Sequence, residues 1–428
     1  MHHRPVPHPL GETRGPLARL PSWRATERAE PGLAPASVAA LLRHALPPTT
    51  SLFRGSQCLP VPPPDIARSE DTPRDEDALA DALLAHAEQA VRAQLDTGTR
   101  DVSLSGGVDS AALCAMAASH APGRIRAWTM DVHFADAAER ANARLMARVA
   151  GVEQVDVPIP DGCLPDLFEP AVLANRRVIL NARAIASFAF YAEAKRRGVG
   201  PALLSGAGAD EVMLGNPRAR ANTRAQVEED RRLASQVLRP TAHGPVSDAA
   251  TMPWDLAPWE SRLSDEVRHA AWILQELVLP PELCGARAHG LTVHTPYLEE
   301  TFSRFVLALP TSALMRGDLG KWLFRHAVRT RVPDEVRLAR KTPRYAHTAL
   351  SSPMRHRWLE LYRAWLSPHR LEPLQVIDPV AVLALLDDHA RLAPEDARAA
   401  AVDRLLMRLV SLAMLQAHPE ACLACPES

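Results

Sequence analysis

Two glycine-rich runs, each with an acid near its end, carry the residue types that handle phosphate. The first is Ser105-Gly106-Gly107-Val108-Asp109-Ser110 and the second Ser205-Gly206-Ala207-Gly208-Ala209-Asp210-Glu211. Paired glycines let a backbone turn tightly and present successive N–H groups, serines add hydroxyl donors, and a following helix N-terminus favours an anion. Neither run is a Walker loop or a dinucleotide fingerprint. Asp109 would repel phosphate unless a divalent cation stood between them, so Mg²⁺ is implied, and Asp109 with Asp210 forms a pair able to hold it on a triphosphate. Alone, the first run also reads as a plain strand-to-helix turn with Asp109 as a capping acid. A second run of the same kind argues against that.

Both runs follow short apolar segments, and the elements around them alternate. Strands are expected at 101–105, 126–131, 154–158 and 201–205, with helices at 109–120, 136–150 and 183–197 between them. A further helix is expected from about Pro73 to Asp96, with Leu79, Leu83, Leu84, Ala87, Val91 and Leu95 at helical spacing. Such alternation predicts an α/β fold with a parallel sheet covered by helices, and phosphate-binding turns at the carboxyl ends of its strands. Beyond residue 216 the pattern predicts helix only, which makes the C-terminal half largely α. Residues 1–70 are rich in proline and read as a linker-like segment with one short apolar helix near Val38–Ala45, and residues 71–428 as the domain proper.

Composition narrows the function further. Lys plus Arg total 49 against 50 Asp plus Glu in 428 residues, so there is no general basic field for nucleic acid or an anionic membrane. The chain has no apolar run long enough to span a bilayer, and its first residues lack a signal-peptide pattern, which gives the expectation of a cytoplasmic protein. Six scattered cysteines are expected to be reduced, with Cys422 and Cys425 a lone pair in a frayed tail. Only Lys195, Lys321 and Lys341 are lysines among the 49 basic residues. In an arginine-dominated chain, a position that keeps a compact ammonium invites a chemical reason. Lys195, beside Arg196 and Arg197, reads as a solvated helix end.

The two loops, in this order, resemble the SGG[LV]DS and SGEGADE loops of the asparagine synthetase family of ATP pyrophosphatases, whose relatives include β-lactam synthetases and lasso peptide cyclases. The likeness runs in order from residue 72 to about 345. Thr295-Pro296-Tyr297-Leu298-Glu299, with Phe305 and Leu309-Pro310, resembles the family's PFLD…LP helix. Gly320-Lys321-Trp322-Leu323-Phe324-Arg325 resembles its K-x-L-L-R helix, and Pro333 to Lys341 its RxK segment. The resemblance implies ATP-dependent activation of a carboxylate as an acyl-adenylate, release of pyrophosphate, and capture by an amine or ammonia. It places Ser105, Gly106, Gly107, Val108, Asp109 and Ser110 on pyrophosphate, Asp109 and Asp210 on the metal, and Leu104, Met130, Ser205 and Gly206 against adenosine. It assigns Lys321 and Lys341 to the phosphates and the reacting centre. Mobile ammonium groups with Mg²⁺ suit the negative charge that develops on leaving pyrophosphate.

Two departures steer the substrate expectation. Family members that use glutamine begin with a nucleophilic cysteine after Met1; here His2 stands there, the first cysteine is Cys58, and Leu52-Phe53-Arg54-Gly55 resembles only the exit from a glutaminase domain. The expected partners are therefore a small-molecule or peptide carboxylate, with a separate glutaminase or a precursor peptide. The family's SGEGADE glutamate is Ala207, which accepts no proton, so macrocyclisation or lactam formation is favoured over asparagine supply. Glu228, Glu229 and Glu260 are candidate replacement bases, although a solvated helix face accounts for Glu228 and Glu229 more simply. Rival readings are a tRNA-modifying enzyme of the wider fold, which the acid–base balance opposes, and a degenerate nucleotide-binding or partner-binding member.

Overall fold

The computed structural model describes residues 15–25, 31–69, 75–242, 251–256, 263–339 and 349–419. At its centre lies a five-stranded parallel sheet built from β3 (Asp101–Ser103), β4 (Arg126–Asp131), β5 (Glu153–Pro158), β6 (Ala202–Leu204) and β7 (Thr292–His294), in the order β5-β4-β3-β6-β7. A small antiparallel pair, β1 (Ser22–Ala25) with β2 (Ser56–Leu59), precedes it.

Strand order makes the site. From β3 the chain proceeds outward through β4 and β5, then returns to pair β6 on the other side of β3, with Asp101 opposite Leu203 and Val102 opposite Leu204. This reversal opens a crevice at the carboxyl ends of the two adjacent strands. The two glycine-rich loops leave those two strands, so the topology sets them side by side.

The strands expected from residues 101, 126, 154 and 201 are found close to their predicted limits, as are the preceding helix α2 (Glu76–Asp96) and the helices between them, α3 (Val108–His120), α4 (Ala137–Ala150) and α6 (Ala182–Arg196). Caps place their starts. Asp75 accepts from Ala78 N at 2.9 Å ahead of α2, Asp136 from Ala138 N at 2.7 Å ahead of α4, and Asn181 from Ala184 N at 3.3 Å ahead of α6. Alternation along the strands feeds two cores: Val102, Leu104, Ala127 and Leu204 face the layer of α2, α3 and α4, whereas Trp128, Leu203 and Val293 face the opposite layer with α6.

Two sequence expectations need correction. A fifth strand does follow residue 216: β7 is only Thr292-Val293-His294, too short to show a period, and is defined by its parallel register on β6. A further two-residue pair, Met315–Arg316 with Leu319–Gly320, forms a hairpin just before Lys321. The N-terminal segment is also more than a linker over its described part. The helix α1 (Pro35–Leu42) forms where a short helix was expected, and Leu33, Val38, Leu42, Leu52 and Phe53 share one buried cluster with Leu406, Leu409 and Val410 of the last helix (Ala399–Ala417). Leu33 N donates to Gln416 Oε1 at 2.8 Å across that contact. Proline content misleads there, because Pro35 sits in the first turn of α1, where its missing N–H costs nothing.

The described C-terminal half is otherwise helical, including α7 (Ala209–Val212) and α8 (Ala219–Val237). No described helix is long and apolar enough to cross a membrane. Cys58, Cys114, Cys163 and Cys284 are free thiols, while Cys422, Cys425 and Pro73 lie outside the described residues.

Candidate active site

The first loop is tied into a compact turn by its own serines. Ser105 N donates to Ser110 Oγ at 3.0 Å, the two hydroxyls lie 3.0 Å apart, and Ser110 Oγ donates to Gly107 O at 3.1 Å. Gly106 has φ +85°, and a Cβ there would overlap the Glu139 carbonyl of α4, so only glycine fits. Gly107 caps α3, whose first residue, Val108, points into the core at 5% exposure. The loop offers backbone N–H groups and a helix N-terminus, not the Val108 side chain. Leu104 is also sealed in the core, its N–H bonded to Trp128 O at 2.8 Å, which restricts any ligand contact to its backbone. Met130 is half-buried near the end of β4.

In the second loop, Ser205 N is bonded to His294 O of β7 at 2.8 Å, and Ala207 N donates to Ser205 Oγ at 3.3 Å. A Cβ on Gly206 would stand 3.3 Å from Asp109 Cβ, so the loops are in near contact.

Between them sits Lys321. Its Nζ lies 2.5 Å from Asp109 Oδ2 and 2.6 Å from Asp210 Oδ1, with the lysine side chain only 3% exposed. The backbone of Lys321 is left-handed, φ 57°, at the head of the helix Trp322–Ala327. Gly215 makes room for it, since a Cβ there would overlap both Asp210 Oδ1 and Lys321 Cε. Burial pushes the Lys321 ammonium below its usual value, and the adjacent Asp109 carboxylate opposes that shift. Burial likewise raises the neighbouring Glu211 carboxyl, with Lys321 opposing.

Asp109 and Asp210 are therefore brought together, as the sequence predicts. Their oxygens converge on one point, and Asp109 Oδ1 is a buried oxygen with no hydrogen-bond partner. Two carboxylates share one ammonium, which leaves acceptor capacity for a further cation. This donor set fits a divalent ion that completes its shell with phosphate oxygens and water. No cluster of three or more protein metal-binding side chains occurs among the described residues.

Several supporting groups carry no signal in spacing alone. Tyr297 OH donates to Asp109 O at 2.8 Å and fastens the turn after β7 to the first loop. Arg325, at 4% exposure, donates to Gly320 O at 3.0 Å, to Ala339 O at 3.2 Å and to Arg337 O, tying the Lys321 helix to the chain leading towards Lys341. Glu282 Oε2 accepts from Tyr191 OH at 2.6 Å and from Ser205 Oγ at 3.3 Å. The proline pair Pro280-Pro281 was the available hint at Glu282: prolines donate no N–H, and here two successive helical turns, Leu274–Val278 and Pro280–Cys284, widen into π geometry. Lys341 and Glu260 lie outside the described residues. Glu228 is exposed and Glu229 is bound to Arg232 at 2.7 Å, as a solvated face of α8 predicts. Lys195 is exposed at the end of α6.

Fold and site together define an α/β protein with two glycine-rich loops at a parallel-sheet switch point. The Asparagine synthase family model matches residues 82–417, most of the chain, and the chain belongs to that family. It is a family of carbon–nitrogen ligases that use ATP, generally with Mg²⁺. No curated protein matches the chain significantly.

Proposed function

We propose that the protein is an ATP-dependent ligase that activates a carboxylate as an acyl-adenylate, releasing pyrophosphate, and passes the acyl group to an amine to form an amide or lactam. The observation that carries this reading is the meeting of Asp109, Asp210 and Lys321 where two glycine-rich loops leave adjacent strands.

In this reading the N–H groups and hydroxyls of Ser105 to Ser110 bind the phosphates that leave as pyrophosphate, and Asp109 with Asp210 would hold Mg²⁺ against them. The ion, when bound, supplies neutralising charge to the phosphates. Lys321 is buried and fixed, so its ammonium is oriented before the nucleotide arrives, and that preorganisation is where electrostatic catalysis gains most. The loop edge around Ser205 and Gly206, with Met130 and the Leu104 backbone, flanks the adenosine side, and Lys341 is proposed as a second ammonium at the reacting centre.

Ala207 favours an acceptor whose nitrogen is part of the substrate, as in peptide macrocyclisation or lactam closure. A precursor peptide or other small carboxylate is then the partner, and a separate glutaminase is the partner if ammonia is the acceptor. Phosphorus NMR of MgATP incubated with candidate acids and amines tests the reaction class. AMP and pyrophosphate are expected; ADP and inorganic phosphate would overturn the reading. A marked preference for ammonium over intramolecular amines would return the chain to asparagine-type chemistry.

A further inference from the structure

Amide formation needs a proton acceptor, and Ala207 leaves the third position of the second loop without one. We propose that Glu282, acting through the Ser205 hydroxyl, takes the proton from the attacking amine; this rests on the amide-forming reading above.

The geometry connects Glu282 to the loop position that lacks a carboxyl. Ser205 Oγ accepts from Ala207 N at 3.3 Å and donates to Glu282 Oε2 at 3.3 Å, so one hydroxyl joins the carboxylate to the Ala207 backbone. Ser205 Oγ keeps a second lone pair for an incoming N–H. Glu282 Oε2 is fixed by the buried Tyr191 hydroxyl at 2.6 Å, while Oε1 receives no hydrogen bond among the described residues and the side chain is half-buried, not sealed. Among the other carboxylates nearby, Asp109 and Asp210 hold Lys321, Glu276 holds Arg177 at 2.9 Å, and Glu211 is buried beside Lys321. Tyr191 is a positioning residue. Burial, then the Glu282 charge, raises its phenol well above the usual range, so it stays a donor and is not itself the base.

The turn that carries Glu282 is half-buried, with Pro280 buried and Pro281 to Cys284 partly exposed. Pro280 and Pro281, immediately before it, line a small crevice with Asn181 and Ala184 of the α6 N-terminus and with Glu276.

The amine nitrogen bonds to the acyl carbon, the bond from that carbon to the AMP phosphate oxygen breaks, and AMP leaves with the electron pair. One amine proton passes to Ser205 Oγ as the serine proton passes to Glu282 Oε2, and Glu282 releases it to solvent.

The test separates activation from capture in the full chain and its Glu282→Gln and Tyr191→Phe variants. Activation is read as exchange of labelled pyrophosphate into ATP with MgCl₂ and L-aspartate, L-glutamate or a short peptide with an aspartate side chain. Capture is read as amide formed with methylamine and hydroxamate formed with hydroxylamine. Glu282→Gln is expected to keep exchange near the wild-type rate while methylamine capture falls by about 10²- to 10⁴-fold, the usual reach of general base catalysis. Hydroxylamine, largely unprotonated at neutral pH, should restore most of the capture. Tyr191→Phe should show a smaller loss confined to the same step. Unchanged methylamine capture in Glu282→Gln, or a parallel fall in exchange and capture, would overturn the assignment. If the wild-type protein exchanges no pyrophosphate with these acids, the ligase reading itself fails and takes the assignment with it.

Discussion

Lys321 Nζ lies 2.5 Å from Asp109 Oδ2, although 212 residues separate them in the chain. The contact joins the first glycine-rich loop to a helix that follows all five sheet strands, and Asp210 completes it from the second loop at 2.6 Å. Three segments thus converge on one ion-sized point.

Removing the ammonium leaves two facing carboxylates uncompensated. Lys321→Met should lower stability of the nucleotide-free protein by about 3 kcal/mol, the order expected when one partner of a buried ion pair is lost. Added Mg²⁺ should recover part of that loss by binding the freed acids, so the variant's melting temperature should rise more with MgCl₂ than that of the wild type. Thermal unfolding by circular dichroism checks both, and a variant as stable as wild type and indifferent to Mg²⁺ would contradict the arrangement.

Gly215 offers a more local probe. Its backbone is not left-handed, so alanine imposes no conformational penalty there, but the added methyl would overlap Asp210 Oδ1 and Lys321 Cε. Overpacking of this kind costs about 1–3 kcal/mol. Gly215→Ala should therefore stay folded while MgATP affinity drops by about tenfold or more, the equivalent of 1.4 kcal/mol. Isothermal titration calorimetry gives the number, and wild-type affinity would show that the carboxylate–ammonium cluster does not hold the nucleotide.

Acid lability follows from buried imidazoles, His294 and His269 among them. Burial lowers His294 from 6.5 to about 4, its ring nitrogens having no hydrogen-bond partner, and burial with the Arg220 charge lowers His269 to about 4. Both folded values lie below the unfolded one, so between these limits the unfolded chain binds more protons. Their contribution is complete above about pH 6.5 and is lost as pH falls towards 4, on the order of 3 kcal/mol for each imidazole. Melting temperatures should fall steadily from pH 7 to pH 4.5, and His294→Phe should flatten the slope. A melting temperature independent of pH over that interval would refute the assignment.

Much of the sheet and the metal-type acid pair was legible in the sequence because both announce themselves locally. Apolar runs followed by Ser-Gly turns mark β3 and β6, and Asp109 and Asp210 stand inside those turns. Lys321 stood out by composition, as one of three lysines. What stayed hidden depends on distant parts of the chain. Three residues of β7 carry no periodicity and become a strand only by pairing with β6. The prolines around α1 concealed a segment whose apolar residues pack on the final helix, a partner more than 350 positions away. Glu282 reaches the second loop from 77 residues further along, through Ser205, and no spacing rule encodes that contact.

The central claim is that Asp109 and Asp210 act as one unit on the cation and triphosphate of a single nucleotide. A double-mutant cycle tests it, with MgATP affinity measured by calorimetry for Asp109→Asn, Asp210→Asn and the double variant. Groups in one network couple strongly, by about 0.5–3 kcal/mol, whereas separate sites add. The account predicts that each single change weakens binding by about tenfold or more and that the double variant is little worse than either, a difference well inside the further tenfold that independent sites would cost. Wild-type affinity in either single variant, or losses that sum in the double, would contradict it.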